Sequence, residues 1–116
     1  MPPTLLIVED DRSLLEVWKT IFSTRGWHVS SATTLAEGLA HLDPPPDYVI
    51  LDLELPDGSG EAILRQIREL GLKTRVAVTT GSDDLSRLTD LHPEALFQKP
   101  VDVAAIWQQG GFAQVN

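Results

Sequence analysis

Short apolar runs, each stopped by a polar cluster and each followed by a segment of helical period, constrain this chain more than any other feature. Leu5-Leu6-Ile7-Val8 runs into Glu9-Asp10-Asp11, and Tyr48-Val49-Ile50-Leu51 runs into Asp52. Val76-Ala77-Val78 is followed by Thr79-Thr80-Gly81, and Ala95-Leu96-Phe97 precedes Lys99. Unbroken apolar runs of this length are the pattern of strands buried on both faces. Trp27 to Ala32 reads as a weaker strand nearer a sheet edge. Five alternations of strand and helix with short connections predict an α/β fold, a parallel sheet with helices on both faces.

The helical segments have recognisable ends. Asp11 or Ser13 can cap a helix in which Leu14, Val17, Trp18, Ile21 and Phe22 recur at helical spacing before Gly26. Thr34-Leu35-Ala36-Glu37 is a capping-box pattern, with Leu35, Leu39 and Leu42 as the apolar stripe and Pro44-Pro45-Pro46 as the stop. Ser59 is the expected cap of a third helix carrying Ile63, Leu64, Ile67 and Leu70 inward, with Glu61, Arg65 and Glu69 outward. A short fourth helix is expected from Asp83 to Leu91 through Leu85, Leu88 and Leu91, and a fifth from an Asp102 cap through Trp107 to Gly110-Gly111. Phe112 to Asn116 reads as a tail or the start of a linker.

Bulk composition narrows the function classes. The 116 residues fit one domain, and 42% hydrophobic content supports a core. The net charge of −8 disfavours nonspecific binding to nucleic acid or membrane surfaces. With no Cys, disulfide and thiolate chemistry are excluded. No apolar stretch approaches the roughly 20 residues that span a bilayer, and Met1 to Thr4 shows no signal-peptide pattern, so a soluble cytoplasmic protein is expected. His28, His41 and His92 lack metal-ligand spacing.

In a parallel sheet the polar clusters share one edge, the edge at which open α/β sheets bind ligands. Glu9, Asp10 and Asp52 would repel one another there, and a divalent cation relieves the repulsion. All-oxygen ligation by a few carboxylates is the habit of Mg²⁺. Lys99 adds a fixed positive charge, Thr80 a hydroxyl donor, and Gly81 leaves the approach open. Such a pocket suits a phosphoryl group, with Asp52 itself as nucleophile forming an acyl phosphate. Taken singly, each cluster is a helix N-terminus, a turn or surface punctuation. Their coincidence at strand ends in one layer is what those readings leave unexplained.

The strings Leu6-Ile7-Val8-Glu9-Asp10-Asp11, Asp52 to Gly60, Val78-Thr79-Thr80-Gly81 and Lys99-Pro100 resemble those of the two-component response-regulator receiver domain, over nearly the whole chain. The resemblance implies one receiver domain, residues 1–116, with a flavodoxin-like, doubly wound, five-stranded sheet of order 2-1-3-4-5. It implies that Asp52 accepts phosphate from a sensor histidine kinase or phosphotransfer protein. Asp10 would ligate Mg²⁺ directly and Glu9 through water, with Asp52 and the backbone carbonyl of Glu54 completing the protein ligands. Thr80 would be the switch hydroxyl, Thr79 would point the other way, Asp11 would be a cap, and Lys99 would pair with phosphoryl oxygens ahead of a cis Pro100. Leu15 and Val101 would touch the kinase, and Glu54 and Ser82 would tune phosphate lifetime.

The chain departs from the family around the fourth helix. The Thr80 to Lys99 segment is short, and Leu96 stands where many members carry a switch aromatic, with Phe97 on the opposite side of the strand. Intact phosphorylation chemistry with a non-standard output face is therefore expected, with an output domain or partner protein receiving the signal and no direct DNA contact. Three other readings compete. An aspartyl-phosphate phosphatase needs a second Asp two residues on, where this chain has Glu54. A phosphate-independent interaction module would not need every pocket residue. A flavin or nucleotide binder would need a Gly-rich loop after the first strand.

Overall fold

The computed structural model describes residues 2–82, 86–101 and 103–109. Five strands, β1 (Thr4–Val8), β2 (His28–Ala32), β3 (Tyr48–Asp52), β4 (Arg75–Thr80) and β5 (Ala95–Gln98), form one parallel sheet in the order β2-β1-β3-β4-β5. The helices are α1 (Arg12–Thr24), α2 (Leu35–Ala40), α3 (Glu61–Glu69) and α4 (Val103–Gln109), with a 3-10 helix at Ser86–Leu91. A small antiparallel ladder pairs Glu54–Leu55 with Gly58–Ser59 in the loop after β3. A parallel sheet with helices on both faces is what the alternation of elements implies, and the strand order is that of the doubly wound, flavodoxin-like fold that the resemblance implies. Among the described residues, no helix is long and apolar enough to cross a membrane.

Strand side chains alternate between two cores. Leu6, Val8, Val49, Leu51, Val76 and Val78 face Ile63, Leu64 and Ile67 of α3 and Leu88 and Leu91 of the 3-10 helix. Leu5, Ile7, Tyr48, Ile50 and Ala77 face Leu15, Trp18 and Phe22 of α1 and Ile106 of α4. Because β1, β3 and β4 are covered on both sides, their sequences are apolar at consecutive positions rather than at alternate ones. β2 lies at the sheet edge, and its residues alternate between exposed and half-buried until Ala32.

Helix phases differ from the periodic reading in three places, and one cap differs as well. The inward face of α1 is Leu15, Trp18 and Phe22, with Val17 turned out and 51% exposed. On α2 the buried residue is Gly38, whereas Leu39 is exposed and Leu42 is buried beyond the helix end. A Cβ at Gly38 would lie 2.5 Å from Ile63 Cδ1 and 3.3 Å from Val8 Cγ2. The α2 backbone is therefore pressed against the core through its glycine, and that rotates Leu39 outward. α3 ends at Glu69, and Leu70 is 57% exposed. Its N-cap is Gly60 rather than Ser59, although Ser59 Oγ does accept from the Glu61 N–H at 3.2 Å.

Asp11 caps α1 by accepting from the Leu14 N–H. Thr34 caps α2 through the Glu37 N–H, but the Glu37 carboxylate reaches back to the N–H and hydroxyl of Thr33 instead of Thr34. On α3, Glu61 and Arg65 pair at 3.0 Å. The expected start of the fourth helix at Asp83 with Leu85, the Asp102 cap, Gly110-Gly111 and the Phe112 to Asn116 tail lie outside the described residues.

Candidate functional site

Parallel strands bring their carboxyl ends to one edge, and the polar residues gather there. Asp52 is the last residue of β3 and only 1% exposed. Its Oδ2 lies 3.0 Å from Lys99 Nζ, and its Oδ1 accepts from the Glu54 N–H at 3.0 Å. Glu9, just past β1, is equally buried. Its Oε2 accepts from the Asp11 N–H at 3.1 Å, and its Oε1 stands 3.4 Å from Lys99 Nζ with no hydrogen bond among the described residues. Asp10 is exposed beside them.

Glu9, Asp10 and Asp52 each offer an oxygen, and the three oxygens lie within 4.8 Å of one another. Burial, aided by the Asp52 charge, lifts the Glu9 pKa to about 7 despite the Asp11 N–H bond. Burial also raises that of Asp52, against the pull of the Lys99 hydrogen bond. Burial opposes the Lys99 charge, but the hydrogen bond and attraction of Asp52, with those of Glu9, outweigh it and leave its pKa raised. A buried carboxylate oxygen with no hydrogen bond, in a group of three carboxylates with one partnering lysine, fits a hard divalent cation with oxygen ligands.

The other rim comes from β4 and the loop after β3. Thr80 Oγ1 donates to Glu54 Oε2 at 2.8 Å, and the Gly81 N–H donates to Glu54 Oε1 at 2.6 Å. Thr79 pairs with Asp52 in register and by strand alternation faces the α1 side with Ala77. The Lys99–Pro100 peptide is cis. The Lys99 N–H donates to the Thr80 carbonyl at 2.7 Å, which ties β5 to the end of β4. Gly60 is required by close approach: a Cβ there would collide with the Asp52 carbonyl oxygen and stand 2.9 Å from Leu51 Cδ1.

Three contributions of this region have no local signal in the sequence. The Glu54 side chain, rather than its backbone alone, enters the site. Asp57 caps α2 from the loop after β3, accepting from the N–H groups of Leu35 at 2.7 Å and Ala36 at 3.1 Å. Those two bonds hold its pKa below the ordinary value. Arg68 of α3 donates to the carbonyls of Leu91 at 2.8 Å and His92 at 2.9 Å, so it fastens the 3-10 helix to α3. In each case the partner is 21 to 27 residues away along the chain, and only the fold reveals it.

One expected surface contact needs correction. Leu15 is 3% exposed because the phase of α1 turns it into the core, so it offers no surface to a partner. Val101 is half-buried against the second core. On β5, Leu96 is 40% exposed, while Phe97 packs on the opposite side against that core.

The family profile described as the response regulator receiver domain matches residues 5–109. The acid tolerance regulatory protein ActR of Rhizobium meliloti is 37% identical over 84 residues, 72% of this chain and 43% of that protein. The transcriptional regulatory protein DltR of Streptococcus agalactiae serotype III is 32% identical over 84% of this chain and 46% of its own. The chain thus spans less than half the length of these relatives. Among solved structures, a CheY-like receiver domain protein from Methanospirillum hungatei has a TM-score of 0.88 and 26% identity, covering 97% of this chain and 94% of that one. With the profile, the strand order and the buried carboxylate cluster in agreement, the chain belongs to the response regulator receiver domain family.

Proposed function

We propose that residues 1–116 act as a phosphoacceptor receiver domain in the cytoplasm, with Asp52 taking a phosphoryl group from a phosphohistidine of a sensor histidine kinase or phosphotransfer protein. The observation that carries this reading is the pairing of buried Asp52 with Lys99 at 3.0 Å beside the Glu9 and Asp10 carboxylates. Glu9, Asp10, Asp52 and the Glu54 carbonyl would hold Mg²⁺, which when bound offsets carboxylate repulsion and neutralises charge on the phosphoryl oxygens.

The chain's own residues supply orientation and electrostatics. The Glu54 N–H and Lys99 Nζ hold the two Asp52 oxygens from different directions, which fixes the plane of the nucleophile. An Asp52 oxygen forms the new O–P bond as the donor's P–N bond breaks, and the electron pair leaves on the imidazole nitrogen. Lys99 then stays beside the acyl phosphate, and the Thr80 hydroxyl and Gly81 N–H, which bond the Glu54 carboxylate in the unmodified protein, would turn to its oxygens. This is one self-directed phosphotransfer rather than turnover of an external substrate.

Output would leave by an unusual face, to a further domain or a partner protein, without contact to nucleic acid by this segment. The 3-10 helix Ser86–Leu91 lies within the segment where a short fourth helix is expected, and exposed Leu96 takes the place of a switch aromatic.

The test is intact-mass spectrometry after incubation with acetyl phosphate and Mg²⁺. Wild type should gain one phosphoryl mass and Asp52→Asn none. A phosphoryl group found on Asp52→Asn as readily as on wild type would refute the assignment.

A further inference from the structure

Glu54 follows Asp52 by two residues, and its backbone and side chain serve different partners. The backbone N–H donates to Asp52 Oδ1. The carboxylate turns to β4, where Oε2 takes the Thr80 hydroxyl at 2.8 Å and Oε1 takes the Gly81 N–H at 2.6 Å. A hydroxyl has one proton to give, and Thr80 has given its proton to Glu54 while its oxygen accepts from the Ser82 N–H at 3.0 Å. One anion therefore occupies two adjacent donors at the mouth of the site. An exposed glutamate in a loop is ordinarily solvated, but two short bonds to an anion are of the strong, charge-assisted kind.

A phosphoryl group on Asp52 is a second anion that needs donors at the same place. Thr80 and Gly81 directly follow Thr79, which is in register with Asp52. Two anions cannot share one hydroxyl proton and one N–H, and at the rim of a buried site their repulsion is poorly screened. Glu54 is exposed, so its side chain has solvent to move into once displaced.

Resting on the reading of Asp52 as phosphoacceptor, we propose that the Glu54 carboxylate is an internal competitor for the phosphoryl-binding donors. It holds the Thr80 hydroxyl and the Gly81 N–H while Asp52 is unmodified, and an incoming phosphoryl group must displace it. Glu54 thereby lowers the affinity of the site for phosphoryl oxygens. Phosphorylation also moves a carboxylate from β4 into solvent, a change of charge at the surface beside Thr80.

The probe is beryllofluoride at saturating Mg²⁺, titrated into wild type, Glu54→Gln and Glu54→Asp. Glu54→Gln keeps the backbone donor and the size but loses the charge. Glu54→Asp keeps the charge but is one methylene too short to span both donors. Both variants should bind beryllofluoride more tightly, by about tenfold, the expected effect of removing one charge-assisted competitor. In the protein without metal or beryllofluoride, both should also shift the Gly81 amide proton resonance upfield, the mark of a lost bond to a carboxylate.

If Glu54→Asp binds like wild type while Glu54→Gln binds more tightly, only the general field of the charge matters and the competitor is refuted. Equal or weaker binding by both variants refutes it too and leaves the Asp52 reading standing. If none of the three proteins binds beryllofluoride, the Asp52 reading fails and the competitor falls with it.

Discussion

Replacing Glu9 by Gln should stabilise the metal-free protein, and only at higher pH. Glu9 is 1% exposed, and burial raises its pKa from the ordinary 4.5 to about 7. A raised folded-state pKa means that the folded chain holds the proton more tightly than the unfolded chain. The resulting stability is fully present below the unfolded pKa and is lost as pH rises through the folded one. At about 1.4 kcal/mol per unit of pKa, ionising Glu9 costs about 3 kcal/mol by about pH 8. That figure is a ceiling, because the site lies at the rim of the sheet and solvent screens part of it.

Gln has nearly the same shape and keeps an acceptor for the Asp11 N–H that Glu9 now binds. Urea denaturation in EDTA should therefore show Glu9→Gln more stable than wild type by about 1 to 3 kcal/mol at about pH 8, shrinking to under about 1 kcal/mol near pH 5. Against a typical domain stability of about 5 to 15 kcal/mol the difference is readily measured. Saturating Mg²⁺ should reverse the order at about pH 8, because wild type gains a ligand that the variant lacks. A gap between the two proteins that stays constant from about pH 5 to about pH 8 would show that burial does not hold a proton on Glu9, and the reasoning would fail.

Arg68→Ala should cost about 2 to 3 kcal/mol in denaturant titrations, since the carbonyls of Leu91 and His92 lose their guanidinium donor. Faster amide exchange across Ser86–Leu91 should accompany it, and a loss under about 0.5 kcal/mol would mean that the 3-10 helix holds its place without Arg68. Gly60→Ala should lower stability by more than about 2 kcal/mol in a thermal melt, because the new methyl group meets the Asp52 carbonyl, a backbone atom that cannot yield without moving the strand end.

The sheet and most of the site can be read from the sequence for one physical reason. Strands buried on both faces must be apolar at every position, so a polar residue at the end of such a run marks where the strand leaves the core. Asp52, Glu9 and Thr80 stand out in this way, and parallel pairing brings those ends to a single edge. The caps at Asp11 and Thr34 are equally legible, because a cap bonds within three residues of itself.

Helix phase is less legible. Periodicity alone does not separate Leu15 from Val17 as the inward residue of α1, because packing against β1 and β3 selects the face that fits Trp18 and Phe22. The same holds for α2, where Gly38 lets the backbone approach Val8 and Ile63 more closely than any leucine stripe would.

By itself, the sequence determined the layering and the site edge, since these follow from local polarity and from spacing along the chain, and its motif strings carried the resemblance to the family. The tertiary structure alone decided which long side chains cross between elements: Asp57 to the start of α2, Arg68 to the carbonyls after the 3-10 helix, and Glu54 to Thr80 and Gly81. A glutamate or arginine in a sequence has many partners within reach of its flexible stem. Only the packed backbone brings one set of donors or carbonyls close enough to outweigh the water that each side chain gives up.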